Sequence, residues 1–207
     1  MRSNLLMSSV LLVTLLLSAC GTPKPTGDAK SESTAAATAA VSVPVSGKTA
    51  FWEMYKSAHS WAADLAPLAL ESKSIPGVKN QAGKAGMWTA TFGSRSQRQA
   101  RVFTYSVIAN PPDVYKGVTV GNPLTWNGPT STALSFTTSD FAVDSEAAYT
   151  AASAQAAVWI KSHPDKEASL TLGNAARFKE PVWYVLWGDK KSGYSVLVDA
   201  KTGSVIK

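Results

Sequence analysis

Two short stretches of this chain match each other almost position by position, and that constrains its fold more than anything else in it. Residues 87–94 read MWTATFGS and residues 182–189 read VWYVLWGD; a Trp, a second aromatic four places on and a Gly directly after it coincide. Upstream, Leu68-Ala69-Leu70 matches Leu170-Thr171-Leu172 at a longer offset, which places an insertion in the first copy, in the Gly- and Lys-rich residues 74–86. Self-similarity of this kind marks a repeated structural unit. Before each Leu-x-Leu the apolar residues recur at helical spacing. They are Phe51, Met54, Tyr55, Ala58, Ala62 and Leu65 in the first copy, with Pro67 as the expected stop, and Tyr149, Ala152, Ala156, Trp159 and Ile160 in the second. Asp144 or Ser145 is placed to cap the second helix, and Pro164 lies past its end. Each unit therefore reads as one helix packed on three or four antiparallel strands, an α+β arrangement occurring twice, in residues 49–143 and 144–207.

The strands of the first copy alternate: Trp88, Ala90 and Phe92 point one way, Thr89 and Thr91 the other, and Phe103, Tyr105 and Val107 repeat the pattern on the partner strand. This is a sheet with one wet face. The second copy does not alternate. With Trp183, Val185 and Trp187 toward the helix, Tyr184 and Leu186 make the outer face apolar as well. Either residues 110–143 or the other unit covers that face, or a partner does.

The N-terminus belongs to a different regime. After Arg2, an apolar run reaches Ala19, of secretory rather than membrane-spanning length, and ends in Leu17-Ser18-Ala19-Cys20. This resembles the bacterial lipobox. The chain has one cysteine, so no internal disulfide competes for it. The resemblance implies a signal peptide of residues 1–19, cleavage between Ala19 and Cys20, and acyl chains on Cys20 that hold the protein to a membrane. Gly21 stands where an Asp often marks inner-membrane retention, which leans toward the periplasmic face of the outer membrane in a Gram-negative host. Residues 20–48 are Pro, Gly, Ser, Thr and Ala with almost no bulky side chains, and read as a flexible tether.

Residues 145–207 resemble a PepSY domain. The resemblance rests on Pro181-Val182-Trp183-Tyr184-Val185, a Gly-containing turn, and then Val196-Leu197-Val198-Asp199-Ala200-Lys201-Thr202-Gly203-Ser204-Val205. In physical terms the closing signature is a hairpin: Asp199 accepts turn amides and Gly203 supplies a positive φ. In the first unit Asn110-Pro111-Pro112-Asp113 replaces that turn. The resemblance implies a non-enzymatic module that modulates peptidases or binds other proteins near the cell surface.

The net charge of +6 and the pI near 9.4 would suit nucleic acid in a cytoplasmic protein. Outside the membrane, anionic lipid head groups, wall polymers or an acidic protein face are the better partners, beside a simply solvated basic surface. Two hairpin tips concentrate the charge: Arg95, Arg98 and Arg101 in the first copy, Lys190 and Lys191 in the second. His59 and His163 lack metal-spaced partners, and no nucleophile motif or phosphate loop occurs, so neither a metal nor another cofactor nor a small-molecule substrate is expected. Two functions follow. One is a lipid-anchored binding or regulatory module acting on another envelope protein, a peptidase among the candidates, through Tyr184 and Leu186. The other is a structural lipoprotein holding anionic wall polymer or lipid head groups through its basic tips.

Overall fold

In the computed structural model, residues 42–206 are described, and all of them fall within one compact unit. The expected signal peptide, Cys20 and the expected tether up to residue 41 lie outside the described residues. Ordered structure begins earlier than the composition suggests, with strand β1 (Val45–Ser46) and helix α1 (Gly47–His59), so Lys48 belongs to the helix and not to a tether.

The elements then run β2 (Leu65–Lys73), β3 (Lys84–Ala85), β4 (Met87–Ser94), β5 (Gln99–Ser106), β6 (Gly117–Val120) and β7 (Leu124–Thr125). Helix α2 (Ser145–Ser162) follows, with β8 (Ala168–Gly173), β9 (Val182–Trp187), β10 (Tyr194–Asp199) and β11 (Val205–Ile206). The chain builds α+β, with both helices packed on one antiparallel sheet ordered β11-β10-β9-β8-β2-β4-β5-β6, and β7 beside β5. The expected pair of separate sheets is replaced by this single one. Strands β2 and β8 pair antiparallel, and Leu70 lies opposite Leu172. The reason is burial: both leucines are fully buried on the helix face, and pairing the two central strands closes one core over both.

Cross-strand pairing defines two unbroken rows. On the helix face run Val120, Phe103, Ala90, Leu70, Leu172, Trp183, Val198 and Val205. On the outer face run Thr119, Thr104, Thr89, Glu71, Thr171, Tyr184, Leu197 and Ile206. The alternation read from the sequence is what places these rows. Trp88, Trp183 and Trp187 are the largest fully buried side chains. At about 25 cal/mol per Å² over 150–250 Å², each contributes roughly 4–6 kcal/mol of gross burial.

Helix α1 ends at His59, and Leu65 and Pro67 belong to β2, so Pro67 does not stop the helix. Ala62 is buried beyond the helix end, which is why the helical spacing ran on. Pro67 is tolerated inside a strand because the ladder shifts register between Pro67 and Ala69.

The two helix starts meet. Asp144 caps α2, its Oδ1 accepting from Ser145 N at 2.6 Å, and the same oxygen accepts from Lys48 N of α1 at 2.9 Å. Ser145 Oγ accepts from Gly47 N at 2.7 Å. Trp88 and Trp183 complete the joint. Each donates its indole N–H to the carbonyl two residues before a helix: Trp88 to Val45 O at 3.0 Å, Trp183 to Val143 O at 2.9 Å. Residues 74–86 form the excursion that carries β3 back to β1, with Ile75 and Val78 in a small core of their own.

Candidate functional site

The outer face of the second half splits between its two predicted residues. Leu186 is 7% exposed and faces no solvent, which removes it from any contact surface. Its flanking partners in the ladder, Ser169 and Ser195, are exposed. Tyr184 is half-buried and lines a pocket of about 160 Å³ with Thr132, Thr171, Asn174, Arg177, Phe178 and Leu197. The pocket is built by residues 174–181, the connection between β8 and β9, folded back beside residues 131–136. Asn174 clamps the two segments: its carbonyl accepts from Leu134 N at 3.0 Å and its Nδ2 donates to Ser135 O at 3.4 Å. Ala176 N also reaches Ser131 O at 2.8 Å. The Asn174 Oδ1 is buried and accepts no hydrogen bond within the chain. The Arg177 guanidinium lies 4.6 Å from the Phe178 ring centre.

The linker of residues 110–143 thus reaches the second half without sealing it. Its early part supplies β6 and β7 to the sheet edge. Phe136 N donates to Pro67 O at 3.0 Å, and Phe136 and Phe141 then enter the core at 6.4 and 5.3 Å from Phe51.

The basic residues do not gather in one place. Strand β4 runs parallel to β8 and antiparallel to β9 through the chain of pairings, so the β4–β5 and β9–β10 tips lie at opposite ends of the sheet. Lys190 and Lys191 are exposed on the second tip, which Asp189 organises: its Oδ1 accepts from Lys191 N at 2.8 Å and Ser192 N at 3.1 Å. Arg95 and Arg98 are exposed on the first tip. Arg101 is not on it. The turn closes at residues 95–98, where Arg98 takes φ +52°, and Arg101 lies within β5 on the helix face, its guanidinium 5.2 Å from the Trp61 ring centre. Asp64 fixes the first tip. Its Oδ1 accepts from Ser94 Oγ at 2.6 Å and Ser96 Oγ at 2.9 Å, its Oδ2 from Ser96 N at 2.8 Å. The Ser94 hydroxyl, then the Ser96 amide and hydroxyl, hold its carboxyl down at about 2.

Sequence reasoning missed Trp126. Its ring rests on Gly93 of β4, where a Cβ would stand 2.8 Å from the indole, and its backbone N donates to Arg98 O at 3.1 Å. The lone Gly inside an alternating strand was the available signal, since such a Gly marks a close approach.

The remaining singled-out residues are structural. Asp199 Oδ1 accepts from Lys201 N and Thr202 N, both at 2.8 Å, and Gly203 takes φ +78°, as the hairpin reading requires. His59 packs edge-on to Tyr55, and His163 ends α2 stacked on Trp159 at 4.0 Å. Among the described residues no group of three His, Cys, Asp or Glu could hold a metal ion.

No family model and no curated protein matches the chain, so PepSY remains a resemblance carried by a short signature. Among solved structures, the crystal structure of a "putative lipoprotein" from Clostridium difficile is similar at 13% identity and a TM-score of 0.46, over 81% of this chain and 92% of that one.

Proposed function

We propose that the chain is a non-enzymatic, lipid-anchored envelope protein that binds an extended segment of another protein beside Tyr184. In this reading Cys20 carries the lipid and the residues after it tether the domain to the membrane, on the periplasmic face of the outer membrane where the host has one. The observation that carries the docking half is the pocket itself. It offers an aromatic wall in Tyr184 and Phe178 and an arginine. An extended peptide supplies a carbonyl or carboxylate for Arg177 and one side chain for the cavity. The PepSY resemblance puts a peptidase among the candidate partners. The non-enzymatic half of the reading is supported by the aspartates: Asp64, Asp140, Asp144, Asp189 and Asp199 all accept backbone amides in caps and turns.

The two helix-plus-strand runs are degenerate copies in the same reading. The matching order of elements, the Leu70–Leu172 pairing and the equivalent indole bonds of Trp88 and Trp183 support it. The copies then differ in use. The outer row is Thr119, Thr104, Thr89 and Glu71 in the first half, and Thr171 followed by Tyr184, Leu197 and Ile206 in the second. Random peptides displayed against the full chain in detergent test the docking. The expected result is a set of related extended peptides whose binding falls at least tenfold in Tyr184→Ser and in Arg177→Ala. Failure to enrich any sequence family, or binders indifferent to both changes, refutes the reading.

A further inference from the structure

Among the described residues, lysines make the ion pairs, while Lys48 and two arginines lie over aromatic rings. The paired lysines are Lys56, Lys73, Lys84, Lys166 and Lys201. Arg95, Arg98, Arg101 and Arg177 make none, and Arg101 and Arg177 lie over aromatic rings. At the first hairpin tip the pattern opens to solvent. Arg95 and Arg98 line a cleft of about 470 Å³ whose other wall is Trp126, Asn127, Gly128 and Pro129. That volume falls within the range of small-ligand sites.

We infer that this cleft binds an anionic polysaccharide, with a sugar ring on the Trp126 indole and its carboxylate or phosphate groups on Arg95 and Arg98. Three observations carry the assignment. The ring is set in place from behind, on the bare Gly93 backbone, and stays partly exposed. The turn beneath it is tied down by the Trp126 N to Arg98 O bond at 3.1 Å. The tip's own carboxylate, Asp64, is engaged with Ser94 and Ser96 and forms no ion pair with either arginine. Unpaired guanidinium forks match carboxylate and phosphate geometry, and an aromatic face takes the apolar side of a sugar; a bare anion would need no ring. The chemistry is independent of the Tyr184 pocket. Only the placing of the polymer in the envelope rests on the reading above.

Calorimetric titration of the full chain in detergent tests this, with polygalacturonate, neutral dextran, polyphosphate and a dT oligonucleotide as probes. Polygalacturonate is expected to bind and dextran not to. Raising NaCl from 50 to 500 mM should weaken the binding, since exposed charges are screened over roughly 10 Å at 0.1 M. Trp126→Ala and the exposed double change Arg95→Gln/Arg98→Gln should each weaken it at least tenfold, while Tyr184→Ser leaves it unchanged. Polyphosphate should bind more weakly and ignore Trp126→Ala. The inference is overturned if polygalacturonate does not bind, if it binds equally well to the double variant, or if the oligonucleotide binds more tightly, which would make the cleft a nucleic-acid site.

Discussion

Replacing Asp144 by Ala removes one acceptor from two helices at once. Its Oδ1 takes Ser145 N at 2.6 Å, which caps α2, and Lys48 N at 2.9 Å, which satisfies an orphan amide in the first turn of α1. Loss of a single N-cap costs about 1 kcal/mol. A hydrogen bond to a charged acceptor contributes roughly 1.5–3 kcal/mol net, and this one is only partly buried, which favours the lower end. The sum is about 2.5 kcal/mol. For a domain of this size 1 kcal/mol moves the melting temperature by about 2–4 °C, so the variant should melt roughly 5–10 °C lower. Asp144→Asn should fall between, because Asn caps a helix about as well as Asp but carries no charge. Urea unfolding followed by tryptophan fluorescence measures both, with exposed Asp165→Ala as a reference expected within about 0.5 kcal/mol of wild type. If Asp144→Ala costs no more than one ordinary cap, about 1 kcal/mol, the bridge to Lys48 contributes nothing and the account of the joint is wrong.

Other consequences are equally direct. Gly83→Ala should destabilise by about 2 kcal/mol or more, since Gly83 sits at φ +81° and a Cβ there would lie 2.4 Å from Ser145 O; a neutral melting curve would contradict this. The Asp64 carboxyl is held at about 2 against an ordinary 3.8, so its stabilisation of the β4–β5 tip is complete above pH 3.8 and is lost as pH falls through about 2. The Ser96 amide resonance should titrate near that lower value in wild type and not in Asp64→Asn; a midpoint near 4 would refute the bonding to Ser94 and Ser96. Cys20→Ala should abolish incorporation of a clickable palmitate and release the protein from the membrane fraction, whereas retained label would place the lipid elsewhere.

The sequence made some of this visible and hid the rest for identifiable reasons. The helix-face residues were legible because period-two alternation leaves Trp88, Ala90 and Phe92 on one side, and all three are fully buried. The Asp144 cap and the Asp199–Gly203 turn were legible because each is a local bond between near neighbours. The end of α1 was not. Ala62 and Leu65 continue its spacing by coincidence of burial, and Pro67 survives in β2 at a register shift. The single sheet was hidden because β2 and β8 are nearly a hundred residues apart, and no local pattern says that Leu70 lies opposite Leu172. Arg101 was misplaced because a four-residue turn with Arg98 at positive φ closes the tip sooner than composition suggests. Of the candidate contacts, Tyr184 was singled out by its broken alternation, but Asn174, Arg177 and Phe178 lie in a connection without periodicity, brought to Tyr184 by the path of residues 131–136.

The most direct test of the docking claim is a photo-crosslinker at position 184 of the full chain in the native envelope, read by mass spectrometry. The account predicts one dominant adduct to another protein, lost in Arg177→Ala and mapped to an extended segment of that partner. Adducts confined to residues 131–136 and 174–181 of the chain itself would mean that the pocket is closed from within, and the proposal of a partner at Tyr184 would fall.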